Sequence, residues 1–273
     1  MATTLTTQPI APSFFEAAEE TLVAWLGSAG VLINTRRTVL LIDPLITMID
    51  GDGGQVLEDG HRLKIDLPVR SDELPRADAV LYTHTDDDHF GRRTAERLDR
   101  RLAPAFVGPP PVVAELRKLG VPDDRITTAH DDEAITIAAA EITVTPALHD
   151  WNAEDPFRRG DCCGYRVKTP DGTIWHPGDT RLIDELLDVR DVDVLFFDMA
   201  DARAHLGPEG SARLAGSCGA TDIIAYHYGT YDVPPGGTFG GDPEKHRDLI
   251  AALPGRFLVL NPGQPLHLRS RAI

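Results

Sequence analysis

The segment of residues 84–89 constrains this chain most, because two histidines and three aspartates directly follow a short apolar run. That run, residues 77–82, has the length and composition of a buried strand. On an extended backbone His84 and Asp86 point to the same side, whereas the adjacent Asp88 and His89 must diverge. A tight turn of this kind can hold one cation with the first pair and a second cation with the other. A hydrated acidic loop is the alternative interpretation, and the pattern favours the metal site.

Three more candidate ligands come later in the chain, each after an apolar run of strand length. His149 follows residues 142–145, Asp179 follows residues 173–176, and His227 comes directly after residues 222–226. An α/β scaffold usually presents ligands at the carboxyl ends of its strands, where the loops converge. We therefore expect these three side chains to join the cluster of residues 84–89.

The pattern His-x-Asp-x-Asp-His at residues 84–89 resembles the His-x-His-x-Asp-His signature of the metallo-β-lactamase superfamily, with Asp86 where the family usually has histidine. Further blocks resemble the branch that contains ascorbate-6-phosphate lactonase. They are Trp-Leu-Gly-Ser-Ala-Gly at 25–30, Leu-Ile-Asp-Pro at 41–44, Gly-Asp-Thr at 178–180, Leu-Gly-Pro-Glu at 206–209 and His-Tyr-Gly-Thr at 227–230. The resemblance spans residues 21 to 230 and implies the α/β metallo-β-lactamase fold, an αββα sandwich.

The resemblance also implies a ligand set for two divalent metal ions. The first ion would be held by His84, Asp86 and His149, the second by Asp88, His89 and His227, and Asp179 would bridge both. Two neighbouring cations need a shared anion between them, which a carboxylate and a hydroxide provide. A carboxylate at position 86 makes the first site harder, which favours Fe²⁺ or Mn²⁺, although Zn²⁺ stays compatible.

Several residues near these ligands are candidates for contact with a substrate. They are Trp151, Arg158, Arg159, His205 and Tyr228. The loop of residues 150–161 directly follows a candidate ligand and is expected to wall the pocket. Arg158 or Arg159 can bind a phosphate or carboxylate through two hydrogen bonds, but solvation at the surface explains either arginine equally well. The expected ligand is a small molecule with apolar parts.

A two-metal centre favours hydrolysis of a small-molecule ester, lactone, thioester or phosphoester through a metal-bridging hydroxide. Asp88 and Asp179 are the candidate catalytic residues, since either carboxylate can accept a proton during turnover. The alternative is a non-haem diiron oxygenase, a hydroxylase of a natural-product pathway, because Asp86 favours iron. A binding protein with a vestigial site is disfavoured, because the ligand set is complete apart from one exchange of oxygen for nitrogen.

The 273 residues show no composition break, so we expect a flexible N-terminal arm at residues 1–20 and a single catalytic domain at residues 21–273. Periodicity predicts helices at residues 91–101, 110–119, 181–187, 208–218 and 243–253. A formal net charge of −16 disfavours a nucleic-acid partner. No apolar run has the length of a membrane helix. Three cysteines without a Cys-x-x-Cys motif, and no signal peptide, predict a reduced, cytoplasmic protein. A homo-oligomer is compatible with the sequence.

Overall fold

The computed structural model describes residues 4–49, 55–154 and 156–269. The ends of the expected arm and domain, at residues 1–3 and 270–273, therefore lie outside the described residues, as does Asp155 in the loop of residues 150–161. The strands of the first sheet are β1 (Thr21–Gly27), β2 (Gly30–Thr35), β3 (Thr38–Ile42), β4 (Ala79–Leu81), β5 (Ala105–Gly108), β6 (Ile126–Thr128) and, from the end of the chain, β14 (Pro265–Leu268). Those of the second are β7 (Ala134–Ile137), β8 (Ala140–Pro146), β9 (Cys163–Thr169), β10 (Gly172–His176), β11 (Val194–Asp198), β12 (Asp222–Tyr226) and β13 (Arg256–Leu258).

Both sheets are mixed and have the same internal plan. The first has the order β14-β1-β2-β3-β4-β5-β6, and the second β13-β12-β11-β10-β9-β8-β7. In the first sheet the neighbours from β14 to β3 pair antiparallel and those from β3 to β6 pair parallel. In the second, β7 to β10 pair antiparallel and β10 to β13 pair parallel. Each parallel half sends its loops to one edge.

The two sheets face each other across the main core. Alternation along β1 illustrates this: Val23 and Trp25 belong to the core between the sheets, whereas Leu22 and Ala24 belong to a second cluster on the outer face. Side chains two apart on a strand share a face, so one fully buried strand serves two cores.

Helices cover the outer faces of the sandwich. They are α1 (Arg92–Leu102), α2 (Pro110–Lys118), α3 (Gly207–Cys218) and α4 (Arg247–Ala251). Leu98 of α1 and Leu116 of α2 pack into the outer cluster of the first sheet, and Leu214 of α3 packs with the strands of the second. The result is the αββα order expected from the sequence. Among the described residues, no helix combines the length and apolarity needed to cross a membrane.

The described part of the N-terminal segment differs from the expectation of a flexible arm. Leu5, Phe14 and Phe15 are buried, and residues Pro12–Phe15 form a 3₁₀ turn. The backbone amide of Gln8 donates to the carbonyl oxygen of Pro262 at 2.8 Å. Burial of three apolar side chains offsets the entropy lost when a segment of this length is ordered.

The expected helix at residues 181–187 is also different, since only a 3₁₀ turn at Asp184–Asp188 forms. The backbone amide of Arg181 donates to the carbonyl oxygen of Leu148 at 3.0 Å, which ties the start of this segment to the loop around His149. This hydrogen bond to a distant loop fixes the backbone at Arg181, and the local helical pattern of the sequence is too weak to override it. Similarly, the segment expected as one helix at 243–253 divides into a 3₁₀ turn, Pro243–His246, and the short α4.

Candidate metal centre

The seven predicted metal ligands come together at one edge of the sandwich. They lie in four loops, each of which follows a strand: β4, β8, β10 and β12. The parallel arrangement within each sheet brings the carboxyl ends of β4 and of β10 to β12 to this edge. All four histidines in this set are buried, so the fold has removed their rings from water.

A first cluster contains His84, Asp86 and His149. Oδ2 of Asp86 lies 3.4 Å from Nε2 of His84 and 3.3 Å from Nε2 of His149. The side chain of Asp86 is 22% exposed, and its Oδ2 also accepts a hydrogen bond of 2.8 Å from Nε1 of Trp151. Asp86 therefore stands between the two imidazoles, in the position a metal ligand would need.

A second cluster contains Asp88, His89, Asp179 and His227. Nε2 of His89 lies 3.1 Å from Oδ2 of Asp179 and 3.6 Å from Oδ2 of Asp88. Nε2 of His227 lies 3.3 Å from Oδ2 of Asp88 and 3.9 Å from Oδ2 of Asp179. Because Oδ2 of Asp179 is also 3.9 Å from Nε2 of His149, this carboxylate lies between the two clusters.

Hydrogen bonds fix the protonated nitrogen of two of these histidines. Nδ1 of His149 lies 3.0 Å from the carbonyl oxygen of Ala204, and Nδ1 of His89 lies 2.8 Å from Oδ2 of Asp43. A carbonyl oxygen and a carboxylate can only accept, so in both rings Nδ1 carries the proton and donates. Nε2 of each ring then faces the cluster, as in a metal-ligating imidazole.

His84 is held in the same tautomer by a relay through Thr83. The Thr83 hydroxyl donates to Oδ2 of Asp43 at 2.6 Å, so its oxygen accepts from Nδ1 of His84 at 2.9 Å. Asp43, which follows β3 and is fully buried, also accepts from the backbone amide of Thr83 at 2.8 Å. Burial opposes its charge, but the neighbouring His89 outweighs burial and lowers the pKa of Asp43. One buried carboxylate thus orients ligands of both clusters.

The carboxylates of the centre are held ionised. Burial alone would raise the pKa of Asp179, but the charges of His89, His205 and His227 outweigh it and lower that pKa well below its ordinary value. For Asp86 burial also acts against the charge, while the adjacent imidazoles of His149 and His84 lower the pKa. The centre therefore presents anionic oxygens among imidazoles.

Backbone conformation at the site is unusual for the residue types present. Asp43 and His227, neither of them glycine, have φ values of 44° and 61°. Such left-handed conformations cost free energy in non-glycine residues and concentrate at functional sites. Gly178 precedes Asp179 with φ of 68°, and a Cβ there would lie 2.4 Å from the carbonyl oxygen of Cys163. The chain approaches so closely here that Asp179 needs a glycine before it.

The donor set fits divalent metal ions. Nε2 of His84, Nε2 of His89 and Oδ1 of Asp179 are buried and have no hydrogen-bond partner among the described residues. Buried polar atoms without partners are costly, so each needs a partner that the protein does not supply. Imidazole nitrogens and carboxylate oxygens, all directed at two adjacent points, suit Zn²⁺, Mn²⁺ and Fe²⁺.

An open cavity of ≈ 490 Å³ leads to the centre. Asp86, Asp88, His149 and Asp179 form its floor. Its walls are formed by Thr85, Asp87, Trp151, Ala202, Arg203, Ala204, His205, Thr238 and Phe239. The volume is that of a site for a small molecule rather than for a polymer.

Of the five predicted substrate residues, the structure brings Trp151 and His205 to this cavity. The indole of Trp151 is 56% exposed and stands at the entrance. Nδ1 of His205 lies 3.5 Å from Oδ2 of Asp179 and 3.4 Å from Oδ2 of Asp198, which ends β11. Burial lowers the pKa of His205, but the charges of Asp179 and Asp198 outweigh it and raise that pKa to about 9.

The other three predicted substrate residues are not on the cavity wall. The guanidinium of Arg159 pairs with Asp131 at 2.8 Å and with Glu185 at 2.9 Å, because these carboxylates lie on the opposite side of the loop. Arg158 is exposed outside the cavity lining. Tyr228 is buried and stacks on Trp25, with ring centroids 5.5 Å apart. Its side chain therefore lines a neighbouring cavity instead of the one above the metal centre.

Several residues of the site were not predicted. Asp43 and Asp198 both end an apolar strand, and an acidic residue at the end of a buried run is the signal that could have identified them. Phe157, by contrast, belongs to the loop that was expected to wall the pocket, and its ring centroid lies 5.5 Å from that of His84. Phe239, in the loop after His227, was also expected near the pocket and lies 5.5 Å from the ring of His227. Arg203 carries no sequence signal that separates it from other surface arginines.

Comparison with known proteins agrees with this geometry. A family model described as the β-lactamase superfamily domain matches residues 38–228, so the chain belongs to this superfamily. The predicted metallo-β-lactamase fold is confirmed. The chain is 26% identical, over 253 residues, to a protein of Pyrobaculum arsenaticum named as a metal-dependent hydrolase, covering 90% of this chain and 99% of that protein. The resemblance to the branch containing ascorbate-6-phosphate lactonase stays a prediction.

Two solved structures share the fold at low identity. An isothiocyanate hydrolase from Delia radicum gut bacteria has a TM-score of 0.70 and 17% identity, covering 91% of this chain and 100% of that chain. CmlA, a diiron β-hydroxylase from Streptomyces venezuelae, has a TM-score of 0.65 and 18% identity, covering 93% of this chain and 55% of that one. The fold therefore accommodates both hydrolases and an oxygenase, and the choice depends on the site.

Proposed function

We propose that this chain is a hydrolase that uses two divalent metal ions to cleave a small-molecule ester, lactone, thioester or phosphoester. One observation carries the proposal: two clusters of histidine and aspartate ligand atoms adjoin each other, with Asp179 between them. The names of the relatives support metal-dependent hydrolysis, and the size of the cavity supports a small substrate. Two metal ions at these clusters would lower the pKa of water, so that hydroxide forms at neutral pH, and would polarise the bond to be cleaved.

The residues of the centre would have three different roles: metal binding, acceptance of a proton and contact with the substrate. His84, Asp86 and His149 would hold the first ion, Asp88, His89 and His227 the second, and Asp179 would bridge both. Asp88 has a side chain that is 15% exposed on the cavity floor, so one of its oxygens is open to a proton released as water attacks. His205 reaches the cavity from above Asp179, where it can donate a hydrogen bond to an oxygen of the substrate.

The experiment is to purify the protein without added metal or chelator, to measure its metals by elemental mass spectrometry, and to assay lactones, thioesters, carboxylic esters and phosphodiesters. We expect about two zinc or manganese ions per chain and turnover of at least one substrate class. Asp179→Asn should lose both metal and activity. Asp87→Asn is the matched control, because Asp87 lies in the same turn but is 73% exposed and paired with Arg92. Wild-type protein that neither binds metal nor gains activity when metal is added would refute the proposal.

A diiron oxygenase is the second candidate, and Asp86 is the observation that favours it. A carboxylate in the first cluster adds negative charge, which suits iron and its higher oxidation states. The fold shared with the diiron hydroxylase CmlA makes such chemistry feasible on this scaffold. About two irons per chain, with substrate-dependent consumption of O₂ and no hydrolysis, would favour this candidate over the hydrolase.

A further inference from the structure

We propose that Arg203 binds an oxyanion of the substrate, a carboxylate or phosphate remote from the bond that is cleaved. The inference rests on the proposed hydrolase function and adds the class of substrate to it. Arg203 lies in the segment between β11 and α3, and it contributes to the wall of the cavity above the metal centre. It is the only basic side chain among the described residues that line this cavity, apart from the histidines.

The backbone around Arg203 is fixed relative to the centre. The amide of Asp201 donates to the carbonyl oxygen of Gly237 at 3.0 Å, and the amide of His205 donates to that of Ala202 at 3.2 Å. The carbonyl oxygen of Ala204 accepts from Nδ1 of His149, a ligand of the first cluster, at 3.0 Å. Arg203 is thus carried by a turn hydrogen-bonded to a ligand, so its Cα keeps a defined distance from the reacting bond.

The guanidinium of Arg203 is available, unlike those of its neighbours. Arg92 pairs with Asp87, Arg159 with Asp131, and Arg181 with Asp150 at 3.2 Å. Within the described part of the chain, Arg203 forms neither a hydrogen bond nor an ion pair. Other exposed arginines, such as Arg158 and Arg213, have no carboxylate partner among the described residues either, but Arg203 is the one that lines this cavity.

The charge of the cavity explains what Arg203 would select. Four aspartates line it: Asp86, Asp87, Asp88 and Asp179. The charges of the three that belong to the centre would be offset by the bound metal ions, and Asp87 pairs with Arg92, so the guanidinium of Arg203 would stay available for an anion. A planar guanidinium binds a carboxylate or phosphate through two parallel hydrogen bonds. Trp151 and Phe239 supply apolar wall, so the substrate would carry an apolar spacer between its reactive bond and its oxyanion.

Three 4-nitrophenyl esters with chains of similar length test this: the half-ester of adipic acid, the ester of its monoamide, and the ester of 5-phosphonovaleric acid. We expect wild-type, metal-loaded protein to prefer one or both anionic esters over the amide by about ten- to a hundred-fold in kcat/KM, as a charge-assisted bidentate contact allows. The phosphonate and carboxylate arms show which oxyanion is preferred. Arg203→Met should abolish the preference and leave turnover of the amide within about two-fold, while Arg203→Lys should restore part of it.

Arg213→Met is the matched control, because Arg213 is exposed on α3 and lies outside the cavity lining. Equal turnover of all three esters by wild-type protein, or equal losses for all three in Arg203→Met, would overturn the assignment.

Failure of the hydrolase function is distinguishable from failure of this assignment, because in that case wild-type protein cleaves none of the esters. Calorimetric binding of adipate and of the uncharged adipamide still decides the role of Arg203. Adipate should bind about ten-fold more tightly to wild-type protein than to Arg203→Met, whereas adipamide should bind the two proteins equally. Equal binding of adipate by the two proteins would refute the role of Arg203.

Discussion

We propose that the side chain at position 86 determines which metal the first cluster prefers. Asp86 gives this cluster a carboxylate oxygen where the family usually supplies an imidazole nitrogen, and imidazole suits Zn²⁺ better. We predict that Asp86→His raises the retention of zinc relative to manganese by about ten-fold or more, a change of the size that ligand-shell substitutions produce. Competitive loading with equal concentrations of the two metals, followed by elemental mass spectrometry, measures the ratio.

Asp87→His controls for a histidine added nearby without entering the cluster. The Asp87 side chain is 73% exposed and its carboxylate pairs with Arg92 at 2.6 Å. Its ratio of zinc to manganese should match that of wild-type protein. If Asp86→His also left the ratio unchanged, Asp86 would not be a ligand of the first metal.

Gly178, directly before Asp179, is a residue at which one added methyl group should disturb both the fold and the candidate metal centre. A Cβ would lie 2.4 Å from the carbonyl oxygen of Cys163 and 3.2 Å from Cβ of Thr83, and the φ of 68° is itself unfavourable for alanine. We predict that Gly178→Ala lowers the free energy of unfolding by about 2 kcal/mol or more and reduces bound metal, because Asp179 moves with it. Denaturant unfolding measures the first effect and metal content the second. Gly216→Ala is the control, since a Cβ there meets nothing within 4 Å.

Helix α1 starts directly after the turn that carries four of the predicted ligands, and its start is capped from a distant loop. Glu58 accepts hydrogen bonds from the backbone amide of Thr94 at 3.1 Å and from its hydroxyl at 2.5 Å, and it also accepts from the amide of Arg93. Gly91 at the cap position offers no side chain for this purpose. Glu58 therefore performs the capping, and its charge faces the positive end of the helix dipole.

We predict that Glu58→Ala lowers the free energy of unfolding by about 1–2 kcal/mol, as loss of a helix cap does, and weakens metal binding because the turn of residues 84–89 loses its support. Thermal unfolding and metal titration are the two measurements. Glu96→Ala, in the exposed part of α1, should leave metal affinity unchanged. Unaltered metal affinity in Glu58→Ala would show that the cap stabilises only the helix.

Elements that carry the predicted ligands were predictable, whereas the cavity wall was predicted only in part, through Trp151 and His205. The predicted ligands follow within a few residues of apolar runs that can only be buried, so their place near strand ends is a local property of the sequence. The direction of Arg159 depends on Asp131 and Glu185, which lie 28 and 26 residues away in the chain. The direction of the Tyr228 side chain depends on its stacking with Trp25. Such contacts follow from tertiary structure and leave no local pattern.

At the scale of the whole molecule, the class of fold was predictable because its strands alternate with helices and end in ligands. The order of strands was not, since β1 pairs with β14 from the other end of the chain, and the pairing joins Thr21 to Leu268. The N-terminal segment was expected to be a flexible arm. Its burial depends on surfaces, such as the segment around Pro262, that are formed only in the folded chain.

Metal removal should affect the stability of the whole chain, because the centre joins loops from both sheets. Without metal, the carboxylates of Asp86, Asp88 and Asp179 share one largely buried site with only imidazoles to balance them. We predict that metal at 100 to 1,000 times its Kd stabilises the fold by about 2.7–4.1 kcal/mol, seen as a rise in Tm by differential scanning calorimetry after chelated protein is reloaded. The rise should shrink as the medium becomes acidic, because protons then compete with the metal ions for the ligand atoms. Asp179→Asn should show little of the gain, and a Tm that is the same in chelated and reloaded wild-type protein would mean that the two sheets are not joined through a metal centre.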